Sequence, residues 1–533
     1  TSSTKMVTIT SASGNAADVI FNVANSNALV LNGAKDIKFK KVTFGNTTNA
    51  LTGVSFNNTN TNIEFYECNI YASLSNTSST CAAVYYNNSS GSTNTLKDVR
   101  FIKNTINGGY SNFWFYYPAG STSNMSSMSV IIDSNIITGA YLYAIYAYYY
   151  GYYPSISYNT ITPRMAGSIN TQWMGLYLYY YNSVEKIEGN RIISTNVNIM
   201  YPYGMYIYYY LNYNGYGTSN NRPLIANNEI ILYTTSSYYG VYLYYPYSNV
   251  QFLNNSIYMY GTGSAYAMYT YNGTTSYQTV LKNNIFATAA ATTAYPIYYN
   301  GSYYTSSYFT TDYNNYYSTG MYIAYAGSAI SSLSGLQSAT GQDANSLNQN
   351  PNFLLPTTSL NTDGFEMLVP PLVNVPYDID GKSRGFVTNI GCYHDFDPYD
   401  DDAKMVSFVS PVGGVVVGQS TPLTVTLMNM GLHNLDSVRI HWSVNNGPVD
   451  SVNYYCNLAF GAISSNITLD TFIPVGGTNS FRVYTTLPNG TADEFPINDT
   501  IQTTAFGCDS ILSGVYTVGT GGDLANVYEA VTA

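Results

Sequence analysis

Between residues 51 and 325 one short phrase returns about every 30 residues: a small residue, an apolar residue, then Tyr or another large side chain, alternating. It reads Gly53-Val54-Ser55-Phe56, Ala83-Val84-Tyr85-Tyr86, Asn112-Phe113-Trp114-Phe115 and Ala144-Ile145-Tyr146-Ala147-Tyr148. It continues through Gly175-Leu176-Tyr177-Leu178-Tyr179, Gly204-Met205-Tyr206-Ile207-Tyr208, Gly240-Val241-Tyr242-Leu243-Tyr244, Ala267-Met268-Tyr269-Thr270-Tyr271, Pro296-Ile297-Tyr298-Tyr299 and Gly320-Met321-Tyr322-Ile323. A fixed period of this length restricts the chain to a solenoid, in which each repeat covers the apolar face of its neighbour.

A second phrase, Asn-x-Ile, runs out of phase with the first. It occurs at Asn104-Thr105-Ile106, Asn159-Thr160-Ile161, Asn190-Arg191-Ile192, Asn228-Glu229-Ile230, Asn255-Ser256-Ile257 and Asn283-Asn284-Ile285, with near-variants Cys68-Asn69-Ile70 and Asn135-Ile136-Ile137. Alternation with period two is that of a pleated strand, and Tyr, Ile and Val favour strands. Asn tolerates the left-handed turn conformation at a corner, and Asn residues stacked one above another can hydrogen-bond as a ladder. The repeat is therefore a β coil, and ten or so coils at roughly 4.8 Å each make a rod on the order of 50 Å long.

These phrases resemble the right-handed parallel β-helix of the pectate-lyase-like fold, specifically the Asn-x-Ile coils of its bacterial surface-protein members. The resemblance covers residues 28–394. Asp378-Ile379-Asp380-Gly381-Lys382-Ser383-Arg384 and Asn389-Ile390-Gly391-Cys392-Tyr393 resemble the closing phrase of such proteins, and residues 329–368 are expected to wrap the last coil. The fold class expected is all-β: a parallel β-helix over residues 1–394, an acidic linker at 395–402, and an immunoglobulin-like β-sandwich at 403–507. The sandwich reading rests on short alternating strands such as Leu423-Thr424-Val425-Thr426-Leu427 and Val438-Arg439-Ile440-His441-Trp442, with turns at Asn429-Met430-Gly431, Asn445-Asn446-Gly447 and Pro488-Asn489-Gly490. It resembles the adhesion-type modules of bacterial surface proteins.

Residues 508–533 resemble the opening phrase of the same β-helix family, a Tyr-Thr-Val-Gly strand and a short helix that cap a first coil. Tyr516, Val518, Leu524, Val527, Tyr528 and Val531 are its capping side chains. Residues 1–45 read as β coil without a cap, so the expectation is one period of an array, with the tail of one copy covering the first coil of the next. A divergent C-terminal segment is the alternative.

Composition narrows the function. Charged residues are 9 % and Tyr supplies 60 positions of 533. A net charge of −11 excludes the basic stripe that nucleic acid needs, and no run reaches the ~18 apolar residues of a membrane span. Low charge with abundant Asn, Ser, Thr and Tyr favours a secreted or cell-surface protein. Cys68, Cys81, Cys392, Cys456 and Cys508 make no dense disulfide framework. Cys68 and Cys81 lie close enough in sequence to clip one loop.

Polysaccharide cleavage needs calcium carboxylates with a base, or two carboxylates across a sugar. The acids between residues 45 and 330 are Glu64, Glu67, Asp98, Asp133, Glu185, Glu188, Glu229 and Asp312, scattered over the coils. Only Glu185-Lys186-x-Glu188-x-x-Arg191 clusters, and it is expected along one strand as a solvated charge pairing. The chain is thus expected not to be an enzyme. The linker carboxylates Asp395, Asp397, Asp400, Asp401 and Asp402 offer hard oxygen ligands that calcium could use, or form a hydrated hinge. Two outward columns are expected. One runs Tyr85, Trp114, Tyr146, Tyr177, Tyr206, Tyr242, Tyr269, Tyr298 and Tyr322, and the other Tyr116, Tyr148, Tyr179, Tyr208, Tyr244 and Tyr271. They serve as a stabilising ladder, a surface for self-association, or a glycan-binding face. The function expected is a structural unit of a surface fibre or adhesin stalk, partnered by further copies of itself. The alternatives are a glycan-binding adhesin and a polysaccharide lyase or hydrolase.

Overall fold

The computed structural model describes residues 6–88, 94–117, 128–209, 211, 222–290, 293–362, 367–385, 387–394, 399–508 and 517–518. The chain divides into two compact units, residues 1–396 and 397–533. The expected cap residues Tyr516, Leu524, Val527, Tyr528 and Val531, and the linker residues Asp395 and Asp397, lie outside the described residues. No described helix is long and apolar enough to cross a membrane.

The first unit is a parallel β-solenoid. Every third strand joins the same sheet, giving, among the described residues, two sheets of 11 strands and one of 12. One coil runs Ser183–Glu188, Arg191–Ser194 and Tyr201–Tyr208, a strand in each sheet. The two sequence phrases meet across the interior. Apolar positions Val54, Val84, Phe113, Ile145, Leu176, Met205, Val241, Met268 and Ile297 are fully buried in the third sheet, facing the buried Ile of the second. A Cβ added at Gly175, Gly204 or Gly240 would stand 2.6–2.7 Å from Cγ2 of Ile192, Ile230 or Ile257, and 2.5–2.6 Å from the carbonyl of the next coil. The small residue of one phrase thus makes room for the Ile of the other.

The Asn-x-Ile corner forms a ladder of eight side chains: Asn104, Asn135, Asn159, Asn190, Asn228, Asn255, Asn284 and Asn314. Each Nδ2 donates to the next Oδ1 at 2.9–3.0 Å. The backbone N–H of each donates to that same oxygen at 2.9–3.1 Å. Cys68 holds the rung position before Asn104 and donates its N–H to it, while Ser346 Oγ accepts from the Asn314 N–H at the other end.

Two expectations are corrected here. In Asn283-Asn284-Ile285 the rung is Asn284, because Ser256 pairs with Ile285 and Ile257 with Phe286. The left-handed conformation belongs to the residue before each rung, from Lys103 to Tyr313, with φ of 51–66°. The rung Asn does not take it, because its own N–H must point along the axis to the next rung.

The last coil is closed by a helix, Leu333–Thr340, capped by the Ser332 hydroxyl, with Leu336 buried against the core. The first part of the segment expected to wrap that coil, residues 329–347, does close it, and the remainder runs back along the outside of the second sheet as a strap. Leu360, Ile379, Cys392 and Tyr393 pack on Ile193, Ile231, Tyr258 and Tyr260, and Met367, Val369 and Ile390 pack on Ile285 and Ala287. The closing phrase fastens it. Arg384 is buried and donates to Asn227 Oδ1, Thr388 Oγ1 and the Gly391 and Cys392 carbonyls. Asp378 accepts from the N–H groups of Asp380, Lys382 and His394.

The second unit is a β-sandwich, immunoglobulin-like in form. Its three-stranded sheet holds Ala403–Ser410, Thr421–Asn429 and Ile467–Phe472. Its five-stranded sheet runs Gly414–Val416, Thr500–Cys508, Gly477–Thr486, Leu435–Val444 and Asp450–Leu458. Val425, Leu427, Ile440, Trp442, Phe481 and Val483 fill the space between.

All five cysteines are free thiols; Cys68 and Cys81 are buried at two corners of one coil, before the strands Asn69–Tyr71 and Ala82–Asn87, and are not bridged to clip a loop. Desolvation raises both thiols above their ordinary value.

Candidate functional site

The third sheet turns its tyrosines outward in register, because Tyr146, Tyr177, Tyr206, Tyr242, Tyr269 and Tyr298 pair strand to strand. Parallel pairing sets neighbours about 4.8 Å apart, which matches a stacked ring. The first column stacks with centroids 4.1–5.2 Å apart from Trp114 through Tyr146, Tyr177, Tyr206, Tyr242, Tyr269 and Tyr298. Tyr85 joins it more loosely at 6.4 Å. The second column, Tyr116, Tyr148, Tyr179, Tyr208, Tyr244 and Tyr271, stacks at 4.9–5.6 Å. Rings also stack across the strand, as Tyr177 on Tyr179 at 5.4 Å and Tyr242 on Tyr244 at 5.4 Å.

The last ring differs from the expected one. Tyr298 stacks on Tyr325 at 4.3 Å, whereas Tyr322 stacks on Tyr295. Ile297 pairs with Ala324, so the repeat is offset at Met321, which is exposed. Sequence reading also missed a corner column. Tyr149 stacks on Tyr180 at 4.9 Å and Tyr150 on Tyr181 at 5.2 Å. Tyr149, Tyr180, Tyr209 and Tyr245 all hold positive φ. The runs Tyr148-Tyr149-Tyr150 and Tyr179-Tyr180-Tyr181 were the available signal, since a run of three leaves period two.

Stacking decides what this face offers. Both faces of an interior ring are covered by the rings above and below, so edges and hydroxyls reach solvent. Burial, followed by the neighbouring phenols Tyr208 and Tyr239, pushes Tyr206 up to about 12; burial likewise raises Tyr146, Tyr177 and Tyr242. The phenols therefore stay neutral at physiological pH and add no charge to the face.

A shallow groove of about 480 Å³ lies over the first sheet, lined by Pro154, Glu185, Lys186, Arg222, Leu224, Gln251 and Asn374. It holds one carboxylate, Glu185, hydrogen-bonded by the Tyr152 hydroxyl. Lys186 pairs with Glu188 at 3.4 Å. Arg191 is not on that strand: the corner at Gly189-Asn190 carries it into the second sheet. There it pairs with the buried Glu229 at 3.5 Å and with Asp380 of the strap. The charged run of the sequence is thus split between a groove and a fastening.

Among the described residues, the linker carboxylates Asp400, Asp401 and Asp402 do not form one set. Asp400 is exposed, and its N–H donates to Glu494. Asp401 accepts from Asn489 Nδ2 at 2.6 Å and lies 3.3 Å from His433 Nδ1. Asp402 alone enters a three-carboxylate cluster, with Asp493 and Asp499, in which one oxygen of each lies within 4.8 Å of the others. Burial raises Asp402 to about 7; burial and then the Asp493 and Asp402 charges raise Asp499 to about 8. The two partners lie some ninety positions away, so the sequence offered no local pattern for them. Val518, the one expected cap residue among the described residues, is exposed.

No protein-family model matches the sequence, and no curated protein matches it. Two solved structures are similar to part of it: a crystal structure of the CARDB domain of the PF1109 protein from Pyrococcus furiosus, in complex with di-metal ions, and a solution NMR structure of the same domain. Each is 14 % identical and covers 21 % of this chain, and 99 % and 96 % of those chains respectively, at a TM-score of 0.17. At that TM-score no property of that domain is carried over.

Proposed function

We propose that this chain is a structural rod, a unit of an extracellular fibre or stalk, and not an enzyme. The observation that supports this most is the mutual coverage of the tyrosine faces. Sugar rings bind by stacking on open aromatic faces, and here each interior ring is covered by its neighbours at 4.7–5.2 Å. Rings used in this way stiffen the coil and leave a polar row of edges. Copies associate as further units of the same chain, and the exposed apolar side chains of Val7, Ile9, Ile20, Phe21 and Val30 offer a contact surface for that association.

Electron microscopy of the native material tests the reading. A regular axial repeat is expected, and the double substitution Val7→Asp with Ile20→Asp should shorten the assemblies to single rods. Native material consisting of isolated rods would overturn it.

A second reading, binding of an acidic glycan, is favoured by the groove with Lys186 and Arg222. Its check is a glycan array with the Arg222→Ala variant as control. A hydrolase would need a second carboxylate across the sugar from Glu185, and the groove lining offers none.

A further inference from the structure

We propose that Asp402, Asp493 and Asp499 of the C-terminal unit form a binding site for one calcium ion. The three come from separate segments: Asp402 precedes the strand Ala403–Ser410, Asp493 sits in the loop after the turn Pro488–Gly490, and Asp499 precedes the strand Thr500–Cys508. One oxygen from each lies within 4.8 Å of the others. Calcium binds oxygen at about 2.3–2.6 Å, so ligands on one ion stand up to ~5 Å apart.

A separate observation points to a missing ligand. Asp499 is 5 % exposed, and its Oδ1 is shut off from solvent and accepts no hydrogen bond. The side-chain carbonyl of the adjacent Asn498 is likewise a buried acceptor with no donor. The donors that are present hold the other members in place. Asp493 accepts from the N–H groups of Ala403 and Phe495 at 3.0 and 2.9 Å. Asp402 accepts from Asn498 Nδ2 at 3.1 Å through both oxygens. Among the described residues no Lys, Arg or His forms an ion pair with any of the three. Carboxylates buried together need a positive partner. An all-oxygen set without sulfur or imidazole selects a hard cation, and ligands held on loops at irregular angles suit calcium better than octahedral magnesium. Bound there, the ion ties the first and last strands of the sandwich to the loop between residues 491 and 499.

This assignment stands apart from the fibre reading, since it concerns a site inside one unit.

The competing occupant is a proton shared by Asp493 and Asp499. Calorimetric titration of the full chain, stripped with chelator and held at pH 7.5, separates the two. One calcium per chain is expected, with a Kd at or below the ~10⁻⁴–10⁻³ M of extracellular modules, together with a higher Tm. Asp499→Asn should weaken binding at least tenfold while the near-ultraviolet circular dichroism is kept, and Asp400→Asn, an exposed neighbour, should leave it unchanged. No calcium binding by the unsubstituted chain, or equal loss in Asp400→Asn, would overturn the site. The titration of the unsubstituted chain decides the matter even where Asp499→Asn fails to fold.

Discussion

At the scale of single residues, the rung asparagines carry the largest share of interior polarity. Asn190 is fully buried, donates to the Ile156 carbonyl and Asn228 Oδ1, and accepts from both nitrogens of Asn159. Asn190→Ala takes the acceptor from both Asn159 nitrogens and a donor from the Ile156 carbonyl on the preceding coil, and one of two donors from Asn228 Oδ1 on the next. Each buried orphan costs ~1–3 kcal/mol, so a loss of roughly 2–4 kcal/mol is expected, read as a lower midpoint of thermal unfolding. The carboxylates Asp402 and Asp499 give a pH dependence. Their folded values, about 7 and about 8, lie above the ordinary 3.8, so the folded unit holds their protons more tightly than the unfolded chain. In chelator their contribution is fully present below about pH 4 and is lost as pH rises through 7 to 8. Amide hydrogen exchange in the strand Leu435–Val444 should therefore quicken over that window.

At the scale of elements, the aromatic columns and the strap do different work. Tyr206 stacks between Tyr177 at 5.1 Å and Tyr242 at 4.7 Å. Tyr206→Ala removes two stacks at ~0.5–1.5 kcal/mol each, besides burial, whereas Tyr206→Phe keeps both rings apposed. Thermal denaturation should show a clear loss for the first and little change for the second; equal losses would mean that the hydroxyl, not the ring, matters. Among the described residues of the strap, Arg384 makes the most side-chain hydrogen bonds. Arg384→Ala strips donors from Asn227, Gly391 and Cys392, and charge-assisted bonds contribute about 1.5–3 kcal/mol each. Limited proteolysis should then cut within residues 343–394 while the coils stay resistant.

At the scale of the whole molecule, each coil leans on the coil before and after it, so the solenoid tolerates removal of a complete period. Deleting residues 159–189 brings Asn190 under Asn135, and takes away the Arg164 donors of the Gly109 and Gly139 carbonyls, which stay. The shortened chain is expected to unfold cooperatively, with strand content per residue unchanged by far-ultraviolet circular dichroism. Deleting half of that segment turns apolar side chains outward and should abolish folding.

The period, the parallel coil, the buried Val, Leu, Met and Ile and most of both tyrosine columns were legible in the chain, because a repeated register brings like residues together without long-range information. The offset at Tyr325 was not, since the repeat slips there by a few residues. Nor was the corner column at Tyr149 and Tyr180, where positive φ breaks the alternation. The strap, the Arg191–Glu229–Asp380 fastening and the Asp402–Asp493–Asp499 cluster could be decided only by tertiary structure. They join residues far apart in the sequence, and no local pattern encodes which distant carboxylate or carbonyl will arrive beside a given side chain.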